Sequence, residues 1–140
     1  MNKKGLLKNM KNCILKLSDK QLLELKEKVP VSNCFFVEID GEQVNSKEMF
    51  FEIMSDKFKL PSAGSGWDSF IDWMNDLSWI SEECICLVIN KYSEFLKDDL
   101  VTKVIFEEVF QEDILPFWDK EVLKTVVDGK IRPFNLYLVS

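Results

Sequence analysis

The sequence contains no histidine. Its absence removes the commonest general base, the usual partner of a serine or cysteine nucleophile, and the most frequent metal ligand. Chemistry built on carboxylates or lysine stays open, on a narrower footing. Positive charge is also in short supply: 18 Lys and Arg stand against 24 Asp and Glu, a formal net charge of -6. Nucleic acid and anionic membranes need a basic face, so neither is an expected partner, whereas a basic protein is. No apolar run approaches the roughly 18 residues of a membrane span. The opening stretch, "MNKKGLLKNMKNCILKLSDK", begins basic and then breaks its apolar runs with Lys and Asn. It has neither the core nor the small-residue cleavage site of a signal peptide. The expected location is the cytoplasm.

Cysteine is sparse as well. The four cysteines, Cys13, Cys34, Cys84 and Cys86, are too few for a secreted disulfide scaffold. Cys84 and Cys86 alternate within the strand-like run "CICLVIN", so buried, reduced thiols are expected. A zinc site would lack partners, since there is no CxxC pair to join them. The sequence therefore implies no metal, no cofactor and no small-molecule substrate.

What is present suffices to fold. A chain of 140 residues, 46% of them hydrophobic, can bury one real core. Residues 1–33 read as an N-terminal extension with one amphipathic helix in "LSDKQLLELKEKV". There Ser18 and Gln21 have capping-box spacing, Leu22, Leu25 and Val29 recur at helical spacing, and Pro30 ends the pattern. Residues 34–140 read as the main domain. "CFFVEID", "CICLVINKY" and "FNLYLV" are apolar runs suited to buried strands. "SKEMFFEIMSDKF" reads as a helix capped by Ser46, with Met49, Phe50, Ile53 and Met54 facing inward. A further helix spans Leu100 to Phe110 in a stretch that Pro116 ends. "DKEVLKTVVDG" reads as another, with Asp119 as N-cap and Gly129 as its stop. Asp40-Gly41 marks a turn, and the loop "KLPSAGSG", with Pro61, Gly64 and Gly66, suits unusual backbone dihedrals. Strands separated by helical crossovers pair in parallel. The expected fold is α/β, a small three-stranded parallel sheet flanked by helices.

One stretch stands apart: "GWDSFIDWMNDLSW", residues 66–79. Read as a helix, it places Trp67, Phe70, Ile71, Trp73, Met74 and Leu77 on one broad side and Asp68, Asp72 and Asp76 on the other. Phe70, Trp73, Met74 and Leu77 are expected in the core. Like charges four residues apart repel, each pair costing roughly 0.2–0.5 kcal/mol, which is small enough for a plain solvated face. Only Asp68, near the helix start, is favoured by the helix dipole. Three functional readings compete with the solvated face. A Mg²⁺ site would need a ligand from another segment or a substrate phosphate. A carboxylate hydrolase needs two acids facing each other across a cleft, which a convex row does not supply. The third is mimicry of a polyanion. Aspartates four residues apart sit about 6 Å apart along the axis, close to the phosphate spacing of an extended nucleic-acid strand. Such a row offers a basic nuclease cleft the charges it is built to bind.

The stretch "VEIDGEQVNSKEMFFEIMSDKFKLPSAGSGWDSFIDWMNDLSWI", residues 37–80, resembles the barstar family, small cytoplasmic inhibitors of secreted bacterial ribonucleases of the barnase type. The shared features are a strand ending in "IDGEQV", a helix, "LP", a glycine-containing loop and the "WDSFIDWMNDLSW" helix. The closing "NLYLVS" resembles the family's last strand. The resemblance implies a three-stranded parallel sheet flanked by helices. It also implies an inhibitory surface, made of the loop and the acidic helix, that plugs the enzyme's phosphate-binding cleft. By position, Asp68 and Asp72 match the helix aspartates that meet the enzyme's basic residues. Ile71 falls where barstar has an interfacial Trp, Trp67 and Asp76 fall along the same face or its ends, and Gly64 and Gly66 belong to the adjoining loop. Asp128 is the nearest match to a late acidic contact. The loop "PSAGSG" lacks the adjacent tyrosines of barstar and is shorter. The segment from Ser81 to Lys120 is longer than in barstar, and residues 1–33 have no counterpart.

The expected function is that of an intracellular immunity protein, or antitoxin, that blocks a basic ribonuclease toxin. Asp72, then Asp68, then Asp76 are its expected binding residues, with Trp67 and Ile71 adding apolar contact. A binding module of the same fold with a non-nuclease partner is the alternative, and a metal-dependent enzyme a third.

Overall fold

Four segments, Ile14–Leu17 (β1), Cys34–Asp40 (β2), Cys84–Asn90 (β3) and Phe134–Val139 (β4), form one parallel sheet in the order β1-β4-β3-β2. The computed structural model describes residues 12–62, 66–120 and 132–140. The sheet thus has four strands, not the three expected. The additional strand, "ILKL", comes from the segment read as an extension and pairs along β4 from Ile14↔Leu136 to Leu17↔Val139. It is too short and too exposed to announce itself. The open edge of β4, with its unpaired backbone groups, is what makes it a strand. In contrast, β3 is paired on both sides and buried on both faces from Ile85 to Ile89. That double burial is why its sequence is a continuous apolar run.

Among the described residues, one face of the sheet is covered by the helix Asp19–Ser32 (α1), whose Leu22 and Leu25 pack on Phe36, Val88, Tyr137 and Val139. Its capping box forms as the spacing requires: the Gln21 amide donates to Ser18 Oγ at 3.2 Å, and the Ser18 amide to Gln21 Oε1 at 2.9 Å. Pro30 does not end the helix, which continues to Ser32 and stops at Asn33 with a left-handed φ of 52°. The proline costs the helix its own amide bond, and the chain winds on for two more residues.

The other face carries Lys47–Phe58 (α2), Trp67–Met74 (α3), Leu100–Val109 (α4) and Leu115–Lys120 (α5). They enclose a phenylalanine-rich core in which Phe50, Phe70, Phe106 and Phe134 are fully or almost fully buried. Ser46 caps α2, accepting from the Met49 amide at 3.2 Å. The inward stripe of α2 is Phe50, Phe51, Met54 and Phe58. Ile53 is half-buried against that core, and Met49 lies exposed. The cluster of rings sets the helix rotation, so the bulkiest side chains take the inner positions. Pro116 does not end its helix either. A π turn at Phe110–Ile114 precedes it, with the Leu115 amide donating to the carbonyl of Phe110, five residues back. The widened turn relieves the clash a proline ring makes with an ordinary α-helical turn. Asp119 is not an N-cap but lies inside α5, where its carboxylate accepts from the Asn12 amide at 3.0 and 2.9 Å. The helix expected to follow it, with Gly129, lies outside the described residues.

Asp40 caps a short 3₁₀ turn, Gly41–Gln43. A Cβ on Gly41 would lie 2.5 Å from the Asn90 carbonyl oxygen and 2.7 Å from that of Lys91, so two backbones meet there with no room for a side chain. The expectation of reduced thiols holds for buried Cys86 and not for Cys84. Cys84 is disulfide-bonded to Cys34, its in-register neighbour on β2, with a Cα–Cα separation of 4.5 Å. That spacing is within disulfide reach. No helix among the described residues is long and apolar enough to cross a membrane.

Candidate functional site: an acidic helix end

The short helix α3 has one face anchored and one face free. Phe70 and Met74 are buried, while Trp67 and Ile71 are half-buried against the same core. The Trp67 ring sits 5.0 Å from Phe51 and 5.7 Å from Phe70, both edge-on. Trp67 and Ile71 therefore spend their surface on packing rather than standing clear beside the aspartates. On the opposite side Asp68 and Asp72 are exposed.

The regular helix ends before the acidic row does. The helix stops at Met74, Asn75 caps it, and Leu77 takes a left-handed φ of 46°. Asp76 therefore lies in the turn, where its amide donates to the Trp73 carbonyl at 3.0 Å. The helical winding carries through to it, and Asp72 and Asp76 line one surface depression of about 260 Å³ together with Ser62, Ser69 and Trp73. Asp68 lies one turn before it. Among the described residues, the ion pairs join Lys26 to Glu38, Lys91 to Glu42 and Lys97 to Glu94, and none engages the three aspartates. Their negative charge has no internal partner there, so it is available to an external cation.

The rim is aromatic. Trp73, expected in the core, is half-buried and lines the depression. Its ring meets Trp79 edge-on at 6.2 Å, and the Trp79 indole N–H donates to the Phe58 carbonyl at 2.8 Å. Ser55 Oγ donates to the Ser62 carbonyl at 3.2 Å, which ties the loop's start to α2. Trp73 escaped the sequence reading because the helical wheel groups it with the apolar side, and Ser62 because it lies outside the helix. Phe70, Met74 and Leu77 are core, as expected. Gly66 has an extended φ of 171° and open space around its Cα, so it does not need the freedom its loop suggested. Gly64 and Asp128 lie outside the described residues.

The three aspartates do not converge as a ligand set. Among the described residues, the close group of potential metal ligands is Cys34, Cys84 and Cys86, with sulfurs within 4.8 Å of one another, and two of those share the disulfide.

Fold and surface together define a small parallel α/β domain with an acidic face that no ion pair engages among the described residues. Residues 34–128 match the family model for Barstar (barnase inhibitor). The chain belongs to the barstar family. Searches of curated proteins and of solved structures return no match.

Proposed function

We propose that this chain is an immunity protein that binds a basic ribonuclease toxin in the cytoplasm of the bacterium producing it and covers the toxin's active site. The observation that carries this reading is the meeting of Asp72 and Asp76 in one depression, with no ion pair to either among the described residues. A helix backed by core aromatics holds the charges in place before binding, so little ordering is needed when a partner arrives. Steering of a basic partner follows from the same charges. Binding, not catalysis, is the role, with Asp72 at the centre, Asp68 and Asp76 flanking it and Trp73 beside them.

The test is capture from the native host with the chain as bait. The reading requires a retained protein with ribonuclease activity that the bait suppresses, and an association rate that falls as salt rises. Retention of proteins without ribonuclease activity would refute it. That result would favour the second reading, a binding module with a non-nuclease partner. The half-buried Ile71 at the place of an interfacial Trp is the observation on that side.

A further inference from the structure

Arg132 lies behind the acidic surface, just before β4, and is only 7% exposed. Its Nη1 donates to the Leu77 carbonyl at 3.1 Å, and its Nη2 donates to the carbonyl of Ile80. The guanidinium also lies 5.0 Å from the centre of the Trp118 ring. Trp118, fully buried, donates its indole N–H to the Met74 carbonyl at 2.9 Å. The carbonyls of Met74, Leu77 and Ile80, where the chain leaves α3, are thus held by two side chains from the C-terminal third of the sequence. Among the described residues no ion pair includes Arg132. Burial pushes its pKa down, and the charge of Glu82 offsets part of this. A buried cation without an ion-pair partner is a poor source of stability. What it supplies is geometry.

The geometry in question is the turn at Leu77. A non-glycine residue with φ of 46° is uncommon and persists only where its surroundings over-determine it. Here the side chain is locked in the core and the carbonyl is locked by Arg132. We propose that Arg132 is a positioning residue for the acidic surface: it anchors the left-handed turn by which the chain leaves Asp76, while Trp118 fixes the end of α3. The proposal rests on the reading above only for the use made of that surface. It also gives the longer segment between Ser81 and Lys120 a task, since Trp118 belongs to it.

Arg132→Gln and Arg132→Lys test the proposal by hydrogen exchange and by titration with hexa-arginine as a polycation probe. In Arg132→Gln, the amides from Asp76 to Ile80 should exchange about tenfold faster or more, as expected for a lost charged hydrogen bond. Ile85 to Ile89 should keep their protection, and hexa-arginine should bind several-fold more weakly. Arg132→Lys should recover part of both, because an ammonium can reach one of the two carbonyls. Equal acceleration in the turn and the sheet would overturn the proposal, as would an unchanged turn. Should Arg132→Gln fail to fold, Trp118→Phe, which keeps the ring and loses the bond to Met74, must loosen the same turn selectively or the proposal falls. If hexa-arginine ignores even the unaltered protein, the electrostatic reading of the surface fails, and exchange alone decides the role of Arg132.

Discussion

Replacing Asp72 with Ala should move stability and binding in opposite directions. Asp72 is exposed, lies four residues after Asp68 on α3, and has no ion-pair partner among the described residues. Removing it relieves two like-charge pairs, with Asp68 and with Asp76, each worth roughly 0.2–0.5 kcal/mol, and replaces Asp with the best helix former, worth about 0.5 kcal/mol. The folded state should gain close to 1 kcal/mol, visible as a rise of about 4 °C in Tm. Binding should suffer far more. Truncating one side of a buried charge pair costs about 2–5 kcal/mol, so a loss of roughly a hundredfold in Kd is expected against the captured ribonuclease. The assays are thermal melting of the free protein and titration of ribonuclease activity. Inhibition that survives intact would remove Asp72 from the site. A parallel fall in Tm and in inhibition would mark the carboxylate as structural and refute the reasoning about the free face.

Gly41→Ala should cost about 3 kcal/mol by chemical denaturation, because the new methyl meets two backbone oxygens that cannot rotate away. A loss below about 1 kcal/mol would show that the turn shifts freely. Glu38 is drawn two ways: burial raises its pKa, but hydrogen bonds from Lys26 and Asn90 outweigh this and leave it lowered. A depressed carboxylate stabilises above its unfolded value of about 4.3 and loses that contribution as pH falls through the folded value. Glu38→Gln should therefore lower stability at neutral pH and converge with the parent protein at acid pH, which flattens the acid side of the profile; an unaltered acid limb would contradict the link between α1 and β2. Denatured without reductant, the chain should expose the thiols of Cys13 and Cys86 and release those of Cys34 and Cys84 only on reduction. Full thiol reactivity before reduction would remove the cross-strand bond. The same measurement on protein quenched inside cells bears on the proposed cytoplasmic location, where disulfides are rare.

Much of this fold can be read from local signals. β2 and β4 coincide with their apolar runs, and β3 fills all but the tail of its own. The caps at Ser18 and Ser46 form with the partners their spacing names. What escaped depends on distant partners. β1 exists only because β4 offers an edge, and nothing in "ILKL" reveals that. Pro116 stays helical because a π turn precedes it, a feature no residue in "FQEDI" advertises. At the site, Asp68 and Asp72 were legible as a wet face, since helical spacing alone decides which side they take. Asp76 was legible in the same way, four residues beyond Asp72. The left-handed turn that follows it at Leu77, held by an arginine and a tryptophan remote in sequence, was not.

The pairing of β1 with β4 has a consequence for biosynthesis. Cys13 donates its amide to the side chain of Asn135 across 122 residues, and Asn12 is bonded at Arg132 and Phe134. β1 has no edge to join until β4 has left the ribosome, so a nascent chain that carries only β1, β2 and β3 cannot yet close this sheet.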